Sequence, residues 1–299
     1  MLWPGPALAA PAAAPACSKL SVLHSDVQAL GSRSVAFFAQ DLGTGACYQL
    51  NPLGVDQRHA PWSSFKIPNL IIAMETGVAP ALGFKIAWDP KRRPRQTYWD
   101  ADWAQDQTLE TAFRRSAAWY YQELALRIGG PRYRQWLSRF AYGNALVADG
   151  DDAFWLGGSL RISPREQARF LARLLTGELG VSARSRAALE VVSLIDSRPG
   201  ADLFGKTGSG PLLAGKFEGP FEGWLVGYLR RQGRQPIVYA LYAQGPDYAS
   251  IKHFRLDLQT GKVTPAGKTT CAAMQSPNPE LFSVRTRIWA QRKPDIGRF

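Results

Sequence analysis

Strand-like runs at both ends of the chain, with helical runs between them, are the feature that most limits the fold. Residues 34–40 are β-branched and aromatic, the turn Leu42-Gly43-Thr44-Gly45 follows, and residues 46–50 resume the strand pattern, which predicts a β-hairpin. Three later runs have strand character: 203–207, 223–229 and 236–242, the last two joined at 231–234. This order predicts an α+β fold. One central antiparallel sheet is built from both chain ends, is flanked by helices and carries an all-helical insert.

Helical patterns occupy the middle of the sequence and have recognisable ends. Ser163-Pro164-Arg165-Glu166 combines a capping box with proline at the first helical position, and predicts a helix to about Leu175. Gly77 and the pair Gly129-Gly130 are typical of helix C-termini. The predicted helices cover residues 63–76, 109–128, 164–175, 184–194 and 248–258.

The composition indicates a globular protein whose folded part is only mildly basic. The chain has 299 residues, of which 45% are hydrophobic and 20% charged, and its formal net charge is +12. Residues 259–299 hold seven Lys/Arg and two Asp/Glu, and their weak periodicity predicts a peripheral or poorly ordered tail. Because that tail contributes +5 and no basic stripe alternates with aromatic residues elsewhere, we expect no nucleic-acid partner.

Residues 1–18 are rich in alanine and proline and carry no charge. They fit either the remnant of a signal peptide or a disordered tail. The sequence has no run of 18 apolar residues, so we expect no stable membrane insertion. These observations predict a periplasmic or secreted protein, a monomer or homodimer, whose folded domain covers residues 19–258.

The three cysteines, Cys17, Cys47 and Cys271, include no C-x-x-C pair, which excludes a structural zinc module and a thioredoxin-type redox site. Cys17 and Cys47 can pair in an oxidising compartment, which leaves Cys271 over. Lipid attachment at Cys17 is the alternative, although the preceding Ala-Pro-Ala matches a lipobox poorly. The three histidines are isolated and the acidic residues at 100–106 lack EF-hand spacing, so we expect no metal site.

Ser63-Ser64-Phe65-Lys66 places a serine and a lysine three residues apart at the start of an apolar helix. At this spacing the two side chains share one helix face, and a buried lysine with a lowered pKa can activate the serine as a nucleophile. The helix N-terminus also offers backbone N–H groups to a developing oxyanion. By itself, the tetrapeptide more often marks an N-cap serine beside a solvated lysine.

Lys206-Thr207-Gly208, followed by Ser209, stands at the end of a predicted strand. The lysine and the threonine hydroxyl can hold a substrate carboxylate, and the glycine lets a ligand approach the strand closely. Alone, the tripeptide marks only a strand end and a turn. S-x-x-K followed by K-T-G about 140 residues later is typical of serine penicillin-recognising enzymes, and the combination is far more specific than either motif.

Around these two motifs, over roughly residues 19–258, the sequence resembles the class D (oxacillinase-type) serine β-lactamases. Six landmarks stand in the family's order. They are FKIPN with ETG at 65–69 and 75–77, SAAWYYQ at 116–122, YGN at 142–144, FWL with SLRISP at 154–156 and 159–164, KTG at 206–208, and GWLVGY at 223–228.

The resemblance implies hydrolysis of the β-lactam amide of penicillin-type antibiotics, with four catalytic residues. Ser63 is the nucleophile that forms an acyl-enzyme. Lys66, carboxylated by CO2, is the general base in both half-reactions. Trp155 donates its indole N–H to the carbamate, and Ser116 relays a proton to the lactam nitrogen. No metal and no cofactor beyond CO2 or bicarbonate is implied.

The resemblance also implies how a β-lactam partner is bound. The backbone N–H groups of Ser63 and Ser209 form the oxyanion hole, and Lys206, Thr207 and Arg255 bind the substrate carboxylate. The implied substrate-binding residues are Tyr142, Lys206, Thr207, Gly208, Ser209 and Arg255.

One position departs from the family pattern, because the second motif is usually S-x-V and residue 118 is alanine. The smaller side chain leaves room for water beside the modified lysine. That water either destabilises the carbamate or helps deacylation. The prediction of acylation is therefore more secure than the prediction of deacylation.

Two other functions stay open. A β-lactam sensor domain acylates without turnover, but such sensors carry membrane helices and a protease region that this sequence does not show, which favours the free enzyme. A D,D-peptidase acting on cell-wall peptides usually has asparagine in the second motif, whereas residue 118 is alanine and Tyr142-Gly143-Asn144 also argues against it.

Overall fold

A computed structural model describes residues 17–19, 34–51, 53–213 and 215–252 of the chain. Helical residues begin at Tyr248, as expected, but the rest of that predicted helix lies outside the described residues. Arg255, Cys271, residues 1–16 and residues 259–299 lie outside them as well. The assignments of both tails therefore stay predictions.

Seven strands form one sheet that is assembled from both ends of the chain. They are β1 (Ser18–Lys19), β2 (Ser34–Asp41), β3 (Cys47–Leu50), β6 (Leu194–Arg198), β7 (Ala201–Pro211), β8 (Phe221–Arg231) and β9 (Arg234–Gly245). Their order is β1-β3-β2-β9-β8-β7-β6, and every neighbouring pair except β1–β3 is antiparallel. The predicted α+β class is confirmed, since β2 of the first hairpin pairs along its whole length with β9.

Six α-helices lie between β3 and β6 in the chain. They are α1 (Lys66–Glu75), α2 (Leu109–Arg115), α3 (Ala118–Ile128), α4 (Gly130–Phe140), α5 (Pro164–Leu175) and α6 (Ala183–Ser193). A two-stranded ribbon of β4 (Lys85–Ile86) and β5 (Gln107–Thr108) precedes α2. The capping box predicted for α5 is present, because the Ser163 hydroxyl accepts from the Glu166 N–H and the Glu166 carboxylate accepts from the Ser163 N–H.

The predicted single helix over 109–128 is wrong, because the chain breaks at Ser116. Ser116 has a φ of 61°, in the left-handed region, and it ends α2 before α3 begins at Ala118. Helix α4 was also missed, because Gly129-Gly130 indicated only a stop; Gly129 does end α3, but α4 begins at the next residue.

Helix α1 is the centre of the molecule. All residues from Lys66 to Met74 are buried, so this helix is surrounded by protein on every side. The 3-10 turn Trp62–Phe65 that precedes it packs against β7 and β8, while α5 covers β2 and β9. The fold therefore places the first turn of α1 in the core, next to the sheet.

Cys17 and Cys47 form a disulfide that joins the start of β1 to β3. The pairing proposed from the sequence is confirmed, and it leaves no thiol at Cys17 for a lipid. Because Ser18 of β1 pairs with Tyr48 of β3, at least one residue of the segment that the sequence assigned to the N-terminal tail belongs to the sheet.

Removal of this disulfide should lower the melting temperature. The bond closes a loop with a sequence separation of 30 residues, for which chain entropy gives a stabilisation of about 3–4 kcal/mol as an upper figure. We expect Cys17→Ala/Cys47→Ala to melt earlier than the unaltered protein by scanning calorimetry. Reductant should lower the melting temperature of the unaltered protein but not of the double variant. Equal melting temperatures in all four samples would contradict the prediction.

Candidate active site

Ser63 and Lys66 meet at the junction between the 3-10 turn and α1. The Lys66 Nζ donates to the Ser63 Oγ over 2.8 Å. Ser63 is partly exposed, whereas Lys66 directly beneath it has no exposed surface. A nucleophile that substrate can reach is therefore paired with an amine that solvent cannot.

The buried position of Lys66 decides its charge. Burial lowers the pKa of the Lys66 amine well below its usual 10.5, and the positive charge of Lys206 lowers this pKa further. The Nζ also lies 5.1 Å from the centre of the Tyr121 ring. The site thus favours the neutral amine, which is the form that can accept a proton or combine with CO2.

Ser64, the neighbour of the nucleophile, holds the turn in place. Its Oγ donates to the Pro61 carbonyl over 2.6 Å and accepts from the Gln167 amide over 2.9 Å. Gln167 in turn accepts from the Tyr142 hydroxyl over 3.0 Å. These buried bonds leave Ser63, and not Ser64, beside the lysine.

Ser116 and Lys206 form a second polar pair in the same site. The left-handed turn at Ser116 presents its hydroxyl to β7, where the Lys206 Nζ donates to it. Lys206 is buried and lies 5.8 Å from the centre of the Phe113 ring. The break between α2 and α3 therefore brings the SAAWYYQ motif at 116–122 to the K-T-G motif at 206–208.

Gly208 brings β7 against the nucleophile turn. A Cβ at this position would lie 2.7 Å from the Ser64 nitrogen, 2.8 Å from the Pro61 oxygen and 3.0 Å from the Ser63 nitrogen. Only glycine fits at these distances. The close approach puts β7, with Thr207 and Ser209 on either side of Gly208, directly beside the Ser63 N–H.

Trp155 is completely buried and packs against the residue that precedes Lys66. Its ring stacks on Phe65 with centroids 5.5 Å apart, and its Nε1 has no hydrogen-bond partner among the described residues. Tyr121 Oη and Asn69 Nδ2 are also buried without a partner in the described part of the chain. Because buried donors are normally satisfied, the donor set fits an anionic group carried on Lys66.

The comparisons with known proteins agree with this geometry. Residues 30–182 match the family described as penicillin binding protein transpeptidase domain. The probable β-lactamase YbxI of Bacillus subtilis is 33% identical over 66% of this chain and 69% of its own length. The class D β-lactamase YbXI from Nostoc has a TM-score of 0.69 at 30% identity, over 79% of this chain and 96% of that structure. The chain belongs to the class D β-lactamase family.

Two further proteins similar to this chain differ from each other in function, since one is named a β-lactamase and the other a penicillin receptor. The β-lactamase OXA-10 of Pseudomonas aeruginosa is 33% identical over 59% of this chain and 64% of its own length. The C-terminal domain of the Bacillus licheniformis BlaR penicillin receptor has a TM-score of 0.70 at 26% identity, over 79% of this chain and 91% of that structure. The aligned region covers slightly less than two thirds of the length of OXA-10.

The class D fold brings four predicted catalytic residues together. The Lys66 amine is hydrogen-bonded to Ser63, the Lys206 amine is hydrogen-bonded to Ser116, and Trp155 stacks on Phe65, the residue before Lys66. Thr207, Gly208 and Ser209 follow along β7. Ala118 is half-buried at the first position of α3, two residues beyond Ser116. Arg255 lies outside the described residues.

The predicted contact between Tyr142 and substrate does not fit the structure. Tyr142 has no exposed surface, and its hydroxyl supports Gln167 and so the nucleophile turn. Gly143 has a φ of 57°, and a Cβ there would lie 1.9 Å from the Arg161 oxygen. The Asn144 side chain accepts from the Arg161 N–H over 3.0 Å. The Tyr-Gly-Asn motif therefore braces the segment that follows Trp155.

A cleft of about 350 Å³ opens beside Lys206 and Thr207. Arg114 and Lys252 line it as well, so cations from α2 and from the helical residues after Tyr248 face the same space as the K-T-G motif. The sequence analysis did not identify Lys252, because the only feature that could have pointed to it is its spacing along the chain from the K-T-G motif. The cleft suits the carboxylate of a small anionic substrate.

Two loops meet at the edge of this region. Tyr98 and Phe217 are both exposed, and their rings stack with centroids 4.1 Å apart. Tyr98 precedes the segment in which the Trp103 Nε1 donates to the Arg115 carbonyl, next to Ser116. Phe217 follows β7. The stack joins the loops that flank the Ser116–Lys206 pair.

Two kinds of feature are not found in the described part of the chain. Among residues 17–19, 34–51, 53–213 and 215–252, no group of three or more His, Cys, Asp or Glu side chains could hold a metal ion. No helix within these ranges has the length and apolar character needed to cross a bilayer.

Gly208→Ala should separate β7 from the nucleophile turn and slow acylation. The added methyl group meets backbone atoms that cannot turn aside, so we expect labelling by a fluorescent penicillin to slow at least about tenfold. Gly83→Ala is the matched control, because a Cβ there has nothing within 4 Å. Equal labelling rates for both variants would show that the close approach is not required.

Proposed function

We propose that this protein hydrolyses the β-lactam amide of penicillin-type antibiotics through an acyl-enzyme at Ser63. The observation that carries the proposal is the completely buried Lys66, whose amine lies 2.8 Å from Ser63 Oγ and is favoured in its neutral form. A base of this kind is what a serine nucleophile needs. The similarity to β-lactamases of Bacillus subtilis and Pseudomonas aeruginosa supports the same chemistry.

In acylation, the Ser63 Oγ bonds to the lactam carbonyl carbon and its proton passes towards Lys66. Negative charge develops on the carbonyl oxygen, where the N–H groups of Ser63 and Ser209 are the proposed donors; such a donor contributes about 3–4 kcal/mol. The carbon–nitrogen bond then breaks, and Ser116, hydrogen-bonded to Lys206, relays a proton to the lactam nitrogen.

Deacylation needs a base in the Lys66 pocket and a water at the ester carbon. Class D serine β-lactamases need no cofactor beyond CO2, which supplies a carboxylate base when it is bound to the lysine amine. The Trp155 Nε1 is the proposed donor to this carboxylate, because it is buried without a partner among the described residues. Water adds to the ester carbon, and Ser63 Oγ leaves with a proton.

The substrate carboxylate is proposed to lie along β7. Lys206 and Thr207 border the cleft, and Lys252 lines the same cleft as a third polar group. Arg255, expected from the sequence in this role, stays a prediction. No nucleic-acid partner is proposed, and monomer and homodimer both stay open.

Time-resolved intact mass after addition of benzylpenicillin tests the proposal directly. We expect a substrate-mass adduct that appears and then clears, with faster clearance when bicarbonate is present. Ser63→Ala should form no adduct and show no turnover, because no other described hydroxyl has this lysine as partner. Retained turnover in Ser63→Ala would refute the nucleophile, and a persistent adduct on the unaltered protein would refute hydrolysis.

Trp155→Phe should leave acylation largely intact but slow deacylation. The variant keeps an aromatic ring against Phe65 and removes the donor proposed for the carbamate. The folded state lowers the pKa of Lys66, so acid pH favours the charged amine that cannot bind CO2. Turnover should therefore fall as the pH falls. More bicarbonate should be needed by the variant than by the unaltered protein at each pH.

This prediction is checked by titrating bicarbonate into the unaltered protein and into Trp155→Phe at two pH values and measuring turnover. If the unaltered protein and Trp155→Phe show the same dependence on bicarbonate, Trp155 does not stabilise the modified lysine.

A β-lactam sensor that acylates without turnover is the second candidate. The BlaR1 regulatory protein of Bacillus licheniformis is 30% identical over 64% of this chain and 30% of its own length. Ala118 is half-buried and stands in place of the usual valine, and we propose that the room it leaves admits water to Lys66. A stable adduct in the mass experiment favours this candidate or a D,D-peptidase over the hydrolase.

We also propose a periplasmic or secreted location. The Cys17–Cys47 disulfide supports it, because such bonds persist in oxidising compartments. Cell fractionation followed by thiol alkylation measures both the location and the state of the pair. Recovery of the reduced protein from the cytoplasm would overturn this assignment.

A further inference from the structure

Trp62, the residue before the nucleophile, occupies a slot between two glycines. A Cβ on Gly210 of β7 would lie 2.3 Å from three atoms of the indole ring, and a Cβ on Gly157 would lie 3.1 Å from its Cη2. Trp62 itself has a φ of 49°, which is rare for a large side chain. The ring is nevertheless buried, so the surroundings hold this residue in an unfavourable backbone conformation.

Glu222, on β8, holds the other end of the slot. The Trp62 Nε1 donates to Glu222 Oε1 over 2.6 Å, and the Tyr242 hydroxyl donates to Glu222 Oε2 over 2.6 Å. Glu222 is 6% exposed, so both carboxylate oxygens are used inside the protein. The Glu222 carboxylate therefore accepts two hydrogen bonds of equal length. The bond from Trp62 comes from the turn that carries Ser63, and the bond from Tyr242 does not.

The charges around Glu222 leave these two donors as its main support. His59 stacks on Tyr242 with centroids 3.7 Å apart, and its Nδ1 lies 3.8 Å from Glu222 Oε2. Burial, with the charge of Arg161, lowers the pKa of His59 to about 4, so this ring is neutral at neutral pH. Burial raises the pKa of Glu222 above its ordinary value, although the bonds from Tyr242 and Trp62 and the positive charge of Arg161 act in the opposite direction.

Trp62 also reaches the lysine pocket through its backbone. Its N–H donates to the Trp155 carbonyl over 3.0 Å. Its carbonyl carbon is bonded to the Ser63 nitrogen, so the orientation of Trp62 sets the direction of the Ser63 N–H. One residue therefore links β7, β8 and the Trp155 segment to the proposed oxyanion donor.

We infer that Glu222 is a positioning residue for Ser63, acting through the Trp62 indole. The inference rests on the proposed acylation of Ser63. Loss of the indole bond frees Trp62 to leave its strained conformation, which turns the Ser63 N–H and Oγ away from the lactam. The rate constant of acylation then falls, while affinity for the substrate carboxylate at Lys206 and Thr207 is kept.

The test compares Trp62→Phe with Tyr242→Phe. Each removes one of the two bonds to Glu222 and keeps an aromatic ring. Stopped-flow acylation by nitrocefin separates the acylation rate constant from the dissociation constant, and calorimetry records the melting temperature. We expect Trp62→Phe to lower the acylation rate constant by about tenfold to hundredfold, and Tyr242→Phe by less than about threefold.

Glu222→Gln and Glu222→Leu form a second pair in case Trp62→Phe folds poorly. Glutamine keeps an oxygen that can accept from the indole, so it should retain an acylation rate constant within about threefold of the unaltered protein. Leucine removes the acceptor and should match Trp62→Phe.

Any one of three results would overturn the inference. The first is that Trp62→Phe acylates at the unaltered rate. The second is that Tyr242→Phe slows acylation as much as Trp62→Phe does, and the third is that Glu222→Gln and Glu222→Leu reduce the acylation rate constant equally. If the unaltered protein forms no adduct at all, the proposed function fails first, and this failure is recognised before any variant is compared.

Discussion

The rest of the site depends on the burial of one amine. A lysine without exposed surface inside an aromatic shell cannot carry its charge cheaply, because low-dielectric surroundings disfavour the ion. The centre of the Tyr121 ring lies 5.1 Å from the Lys66 Nζ, and Phe65, the residue before Lys66, stacks on Trp155, while α1 supplies the rigid support. The neutral form that results is the one proposed to act as a base for Ser63 and to combine with CO2. If Lys66 were solvated, the same four residues from Ser63 to Lys66 would be only the start of a helix.

Burial alone does not make a nucleophile, and the sheet supplies what α1 lacks. Strand β7 approaches the turn so closely that residue 208 must be glycine, and the same strand carries Lys206 to Ser116. The helical insert therefore provides the serine and the base, whereas the C-terminal part of the sheet provides the polar wall opposite them. This division explains why the motifs stand so far apart in the chain. The site forms only when β7 and β8 pack on the turn before α1.

Local signals in the sequence predicted more than the long-range ones did. The hairpin of β2 and β3, the capping box at Ser163 and the S-x-x-K spacing are set by neighbouring residues, and the structure has all three. The break at Ser116 was not predictable from periodicity, since apolar residues continue across it. Tyr142 was placed with substrate because a motif shows order along the chain and not which way a ring faces. The bond between Trp62 and Glu222 spans 160 positions, and no local pattern indicates it.

Hydrolase and sensor share everything that acylation requires, so the difference between them must lie in the second half-reaction. The groups proposed for acylation are Ser63, Lys66 and the β7 wall, and buried contacts fix all of them. Deacylation needs in addition a retained carboxylate at Lys66 and one water at the ester. Trp155 is the proposed donor that retains it, because the buried indole nitrogen has no partner among the described residues. Ala118 is half-buried where valine is usual, and the room that it leaves for water is proposed to act against the carbamate. Under the proposed function, the balance between these two residues, and not the nucleophile, decides whether the acyl group leaves.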